Sequence, residues 1–272
     1  MRHILLLLTI LPYLTQAQVT DTTKKDSTKT HLVIGATYNS GMNYYGRVDS
    51  LKSSGMYPFV GIAFKNGLYV NSTFVFIHNS LTTEYAATLL EAGYNFKNKQ
   101  GNWAGTLSAA RYFYQANTGL VESAIKEVAS ASITNLNKVL DVTVGVDTKF
   151  SNEADPGAQA GLDHIIKFIH LFNQKDVLVL DPSAYVYAGT QSFTQTYYQE
   201  QHFLIFPTGE QAITQNSRKF GVLAYEASLP IVYAYKKLNL ILSPAYILPE
   251  NVIAPESANN LFYITATVKF TL

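Results

Sequence analysis

The stretch "KVLDVTVGVDTKF", Lys138 to Phe150, places a branched aliphatic at every second residue from Leu140: Leu140, Val142, Val144 and Val146. Asp141, Thr143, Gly145, Asp147 and Lys149 stand between them. A period of two is that of a β-strand, whose successive side chains point to opposite faces. One face of this strand is apolar and the other is polar and charged. The apolar face must leave water, either into a protein core or outward into lipid. That choice decides the fold.

The same alternation recurs along the chain. It predicts twelve strands, near 31–40, 56–65, 68–78, 82–96, 101–114, 121–134, 138–150, 157–172, 176–190, 218–234, 237–249 and 259–272. Many exceed the ~5–6 residues usual in soluble sheets and reach the ~9–11 needed to cross a bilayer. The connections alternate in kind. Those after the second, fourth, sixth, eighth and tenth strands are short: "KNG", "KNKQG", "NLN", "NQK" and "KK". Asn66–Gly67 is a hairpin signal, because both residues tolerate positive φ. The others, such as 40–55, 191–217 and 250–258, are longer, and several carry acidic residues. "NEADPG" at 152–157 is an acidic loop without the spaced ligands of a calcium site.

Composition narrows the class. The 272 residues suffice for one large β domain. Charged residues are 14% of the chain, against roughly 25% in ordinary soluble domains. There are 19 Tyr and one Trp. No cysteine is present, which excludes disulfides, thiolate metal sites and cysteine nucleophiles. A net charge of +1 carries no footprint for nucleic acid. The N-terminus, "MRHILLLLTILPYLTQAQ", has the form of a secretory signal peptide, with cleavage expected after Ala17. Residues 18–30 then read as a polar tether and 31–272 as the barrel. No later apolar run is long enough for a transmembrane helix.

The apolar sets are extensive. Phe262, Ile264, Ala266, Val268, Phe270 and Leu272 share one face of the last strand, and Leu223, Tyr225, Ala227, Leu229, Ile231 and Tyr233 one face of the tenth. A soluble barrel would need to pack all such faces inside and charge its exterior. The charges are too few and sit mostly in turns. The apolar face therefore turns outward, and the expected fold is an all-β, antiparallel up-and-down transmembrane β-barrel of about twelve strands with short periplasmic turns and longer outer loops. Pro182, Pro230 and Pro244 fall within predicted strands and imply bulges or breaks there.

With these features the chain resembles the outer-membrane β-barrel proteins of Gram-negative bacteria. The Lys- and Asn-rich turns, the tyrosine content and Gln18 after the cleavage site look most like barrels of Bacteroidota. The resemblance implies an outer-membrane location and recognition of the C-terminal strand, "FYITATVKFTL", by the barrel-assembly machinery. Such barrels often end in Phe; here Leu272 is last, with Phe270 two residues before it.

By parity Glu91, Asp141, Asp147, Lys149, Asp163, Lys167, Glu226 and Lys269 line the interior, together with Tyr69, Tyr185, Tyr187 and Tyr263. Such a lining suits a narrow, porin-like passive channel for small solutes with an acidic lumen. Segment 191–217, with Tyr197, Tyr198, Phe203 and Phe206, is expected to constrict the mouth or to act as an outer binding loop. The latter defines an alternative, a closed structural or adhesive surface barrel. A third reading rests on "HNS": His78 and Ser80 resemble the His-x-Ser pair of outer-membrane phospholipase A, but the chain continues "SLTT" where that family has Ser-Asn-Gly. His164 and His170 share a face about 20 Å apart and cannot chelate one ion. No cofactor and no metal are expected; lipid is the expected partner.

Overall fold

The computed structural model describes residues 29–48, 51–115, 125–151, 154–190, 220–252 and 258–272. Among them there is no helix and seventeen strands. The first, β1 (His31–Asn39), is followed by a small hairpin, β2 (Asn43–Tyr44) and β3 (Arg47–Val48). Then come β4 (Ser54–Ala63), β5 (Leu68–His78), β6 (Thr83–Lys97), β7 (Trp103–Tyr114), β8 (Glu127–Asn135) and β9 (Asp141–Phe150). The chain continues through β10 (Ala154–Asp163), β11 (Ile166–Ile169), β12 (Asp176–Leu180), β13 (Ser183–Thr190), β14 (Phe220–Ser228), β15 (Ile231–Tyr235), β16 (Leu238–Pro249) and β17 (Leu261–Thr271).

Every pairing is antiparallel, and with β10–β11, β12–β13 and β14–β15 each taken as one wall strand and the β2–β3 hairpin set aside, each wall strand pairs with the next along the chain; β17 closes the ring on β1, with Val33 opposite Thr271 and Asn39 opposite Thr265. Closure leaves the wall no sheet edge apart from β11, which pairs only with β12 where it outruns β9 at the short-turn rim. Three wall strands are interrupted without losing register, two at their own prolines, Pro182 and Pro230, and one at His164–Ile165, opposite Pro182. Asp163 pairs with Ser183 and, three residues on, Ile166 pairs with Leu180. The same holds where β12–β13 meets β14–β15. Proline has no N–H to give, so each break keeps one ladder bond: His164 N–H to Pro182 O at 3.2 Å, Asp181 N–H to Pro230 O at 2.9 Å, and Leu229 N–H to Pro244 O at 3.0 Å. The β16 strand passes through Pro244 unbroken. The wall thus has the twelve strands expected from the alternation.

Following the register around the ring gives a stagger of about 16 residues, hence a tilt of about 40–45° and a radius of about 12 Å. Outward apolar residues extend over Trp103–Phe113, Leu140–Phe150 and Phe262–Leu272. About ten residues at that tilt give a band about 24 Å tall, close to the ~25 Å of membrane barrels. Val142, Val144 and Val146 are 42, 50 and 61% exposed on the outside, while Asp141 and Thr143 are 6 and 2% exposed on the inside. The valines of the deciding strand therefore face lipid. Arg111 and Glu127, paired at 3.2 Å on the outer surface, lie towards the long-loop end of the wall.

Several positions depart from strict parity. Leu223 is 1% exposed, not on the outer face, because it is the extra residue of a bulge opposite Tyr187 and Ala188. Ala86 is likewise the extra residue opposite Val75 and Phe76, and is buried. Lys167 does not line the interior. It is exposed on β11, which pairs with β12 but lies beyond Asp141, the first residue of β9, so no wall continues beside it. Residues 125 and 126 precede β8 outside any strand. The Asn66–Gly67 turn forms as its residues require: Gly67 has φ +93°, and Phe64 exchanges backbone bonds with Leu68 and Gly67. Residues 1–17, 18–28 and 191–217 lie outside the described residues.

Candidate functional site: the lumen

Inward residues form three levels. Nearest the short-turn rim, Asp141, Asp163 and Asp181 stand on adjacent wall strands, β9, β10 and the β12–β13 break. Asp141 and Asp163 are register partners, so two like charges face each other directly. Asp141 accepts the Asn137 N–H at 2.7 Å, Asp163 is bonded by the Tyr185 hydroxyl, and the Oδ1 of Asp181 is buried with no partner among the described residues. Across the lumen at this level, Lys269 points inward between Gly35 and Asn239 with no salt bridge among the described residues.

The middle level holds two tyrosine–glutamate pairs on opposite walls. Tyr69 donates to Glu91 at 2.7 Å, and Tyr263 donates to Glu226 at 2.9 Å. Both carboxylates are buried, so each needs its donor: an unpartnered buried carboxylate would cost several kcal/mol. The Tyr69 ring lies over Gly93 of the neighbouring strand, in the space that a Cβ there would take.

The level beneath the long loops is crossed by chain. The β2–β3 hairpin folds inward instead of standing above the barrel. Met42 joins a buried cluster with Tyr57, Val75, Ile77, Ala86 and Ala87 on one wall. On the other, the Tyr45 ring sits 5.3 Å from Tyr187, and its hydroxyl receives the Lys149 ammonium at 3.5 Å. Lys149 also pairs with Asp147 and lies 5.7 Å from the Tyr45 ring centre. Arg47 donates to the Tyr45 and Glu250 carbonyls at 3.3 and 3.2 Å, and Gly46 rests on Pro249. Burial pushes the Tyr45 phenol above its ordinary range, so it stays a neutral hydroxyl. Nearby, Thr190 donates to Asp155 at 2.6 Å.

The structure thus brings Glu91, Asp141, Asp147, Lys149, Asp163, Glu226 and Lys269 to the interior and leaves Lys167 out. Tyr197, Tyr198, Phe203 and Phe206 lie outside the described residues. Sequence reasoning missed Asp181, which it left in a broken strand, and the inward hairpin with Tyr45 and Arg47. The only available signal for the hairpin was "NYYGR", a turn flanked by large aromatics inside an outer loop. His78 and Ser80 are both at the long-loop rim; the exposed His78 ring bonds Thr83 Oγ1 at 2.6 Å through Nδ1, not Ser80. No group of three metal-ligating side chains occurs among the described residues.

No model of a known protein family matches the chain, and no curated protein matches it. Among solved structures it is similar to the KdgM porin, at 8% identity over 88% of this chain and 99% of that one, with a TM-score of 0.49. The NanC porin is 11% identical over 89% of this chain and 100% of its own, with a TM-score of 0.48. The translocator domain of the autotransporter NalP from Neisseria meningitidis is 14% identical over 96% of this chain and 94% of its own, with a TM-score of 0.48. At such identities no residue role transfers.

Proposed function

We propose that the chain is an outer-membrane barrel acting as a narrow passive channel for small solutes, with its short-turn rim in the periplasm and an acidic lumen that favours cations. The observation that carries this reading is the arc of Asp141, Asp163 and Asp181 at one mouth, three carboxylates without a compensating salt bridge among the described residues. Lumen carboxylates without a cation partner raise the local concentration of the opposite ion. The even strand number places both ends of the barrel domain at the same rim, as export followed by insertion from the periplasm requires. The amphipathic β17 strand, with Phe270 and Leu272 on the outer face, is what the assembly machinery would read.

The test is single-channel conductance in a planar bilayer under a salt gradient. The wild type should be cation-selective. Asp141→Asn, Asp163→Asn and Asp181→Asn together should move the reversal potential towards the anion limit, and an unmoved potential would refute the acidic lining.

A second reading has its own observation. The β2–β3 hairpin crosses the long-loop half of the lumen, which suits a closed surface barrel acting through its outer loops, 191–217 among them. A bilayer that stays silent with insertion demonstrated would favour it. The hydrolase reading at His78 and Ser80 gains no support from the observed bonding of His78.

A further inference from the structure

We propose that the β2–β3 hairpin is a displaceable plug, latched to the wall by Tyr45 and Arg47, and that its withdrawal opens the channel; this rests on the channel reading above. The hairpin crosses the lumen, with contacts to the Tyr57–Val75–Ile77 wall on one side and to Lys149, Tyr187 and Pro249 on the other.

Three features mark the plugged arrangement as one of two states and not as a permanent core. First, the hairpin turn holds a side-chain-bearing residue in the left-handed region: Tyr45 has φ +50°, beside Gly46 at φ +82°. Second, plugging strands a polar group. The Tyr57 hydroxyl, in a residue 1% exposed that shares one buried cluster with Met42, has no hydrogen-bond partner among the described residues. Withdrawing Met42 would open that cluster and give the hydroxyl a route to water. Third, the contacts on the far wall are separable. Lys149 keeps its Asp147 partner when Tyr45 leaves, and Arg47 keeps its bond to the Tyr45 carbonyl within the hairpin while exchanging the Glu250 carbonyl for water. The wall itself loses no ladder bond, because β2 and β3 pair only with each other.

The chain has no cysteine, so one engineered pair can lock the plug without competing thiols. A Cβ built on Gly46 falls 3.2 Å from Pro249 Cβ, near the ~3.5–4.5 Å separation of disulfide-linked residues. The experiment compares planar-bilayer conductance of wild type, Gly46→Cys/Pro249→Cys before and after reductant, and Tyr45→Ala/Arg47→Ala. The oxidised pair should be closed and should regain wild-type steps on reduction. The unlatched variant should raise the open fraction by about tenfold, the shift expected when a latch stabilising one state is removed. Equal conductance of oxidised and reduced forms, or an unlatched variant with wild-type open fraction, overturns the plug while leaving the channel in place. Silence from every form, with membrane insertion shown by protease protection, overturns the channel reading and the plug with it.

Discussion

The two halves of the lumen solve the problem of interior charge in opposite ways. Towards the long loops, Lys149 is matched by Asp147 and capped by Tyr45, Asp155 takes the Thr190 hydroxyl, and a hairpin fills the remaining space. Towards the short turns, three aspartates stand together and Lys269 faces them from across the lumen without a salt bridge among the described residues. The wall is the same in both halves, with valines, leucines and aromatics outward. The lesson is that a membrane barrel's outer face answers to lipid everywhere, whereas its inner face is free to match its charges at one end and to gather like charges at the other.

Four substitutions would break or sharpen that contrast. The largest effect belongs to the shared wall. Val144→Arg puts a cation on the mid-depth outer face and should cost about 2–4 kcal/mol of folding stability in lipid, read by urea titration in vesicles. Thr143→Val, its inward neighbour, serves as the control. Next comes the packed half. Lys149→Met leaves Asp147 without its cation and should destabilise by about 2–3 kcal/mol in the same titration, less than a fully buried pair because both side chains retain some exposure. At the boundary between the halves, Tyr69→Phe removes the donor to Glu91 and should cost about 1–2 kcal/mol. The smallest effect has the opposite sign. Asp163→Asn in the acidic half relieves a directly opposed like-charge pair and should stabilise by about 0.5 kcal/mol. If Asp163→Asn destabilised the barrel as much as Lys149→Met, the two halves would not differ in kind.

Much of this was legible beforehand because it depends on local periodicity. In "KVLDVTVGVDTKF" the alternation alone separates Val142, Val144 and Val146 from Asp141 and Thr143, and it holds across the wall because adjacent strands are locked in register. The same rule placed Glu91, Glu226, Tyr185 and Tyr263 inside. It failed where the ladder itself changes. At Leu223 one extra residue flips the pattern, and at Lys167 the strand outruns its neighbour, so parity no longer says which medium a side chain meets. Neither event leaves a mark in hydrophobicity.

From its sequence alone this protein is determined to be a β-barrel with an apolar outer band, about twelve strands, short turns at one end and a charged lining. These follow from a period of two, a low charge content and turn chemistry, each a property of a few consecutive residues. Only the tertiary structure decided that "NYYGR" folds into the lumen and that Asp141, Asp163 and Asp181 converge on one mouth. It also decided that Tyr69 finds a glutamate on the adjacent strand and Tyr263 one two strands away. Those contacts join residues from roughly twenty to more than a hundred positions apart, and they depend on the stagger and closure of the whole ring, which no local pattern encodes.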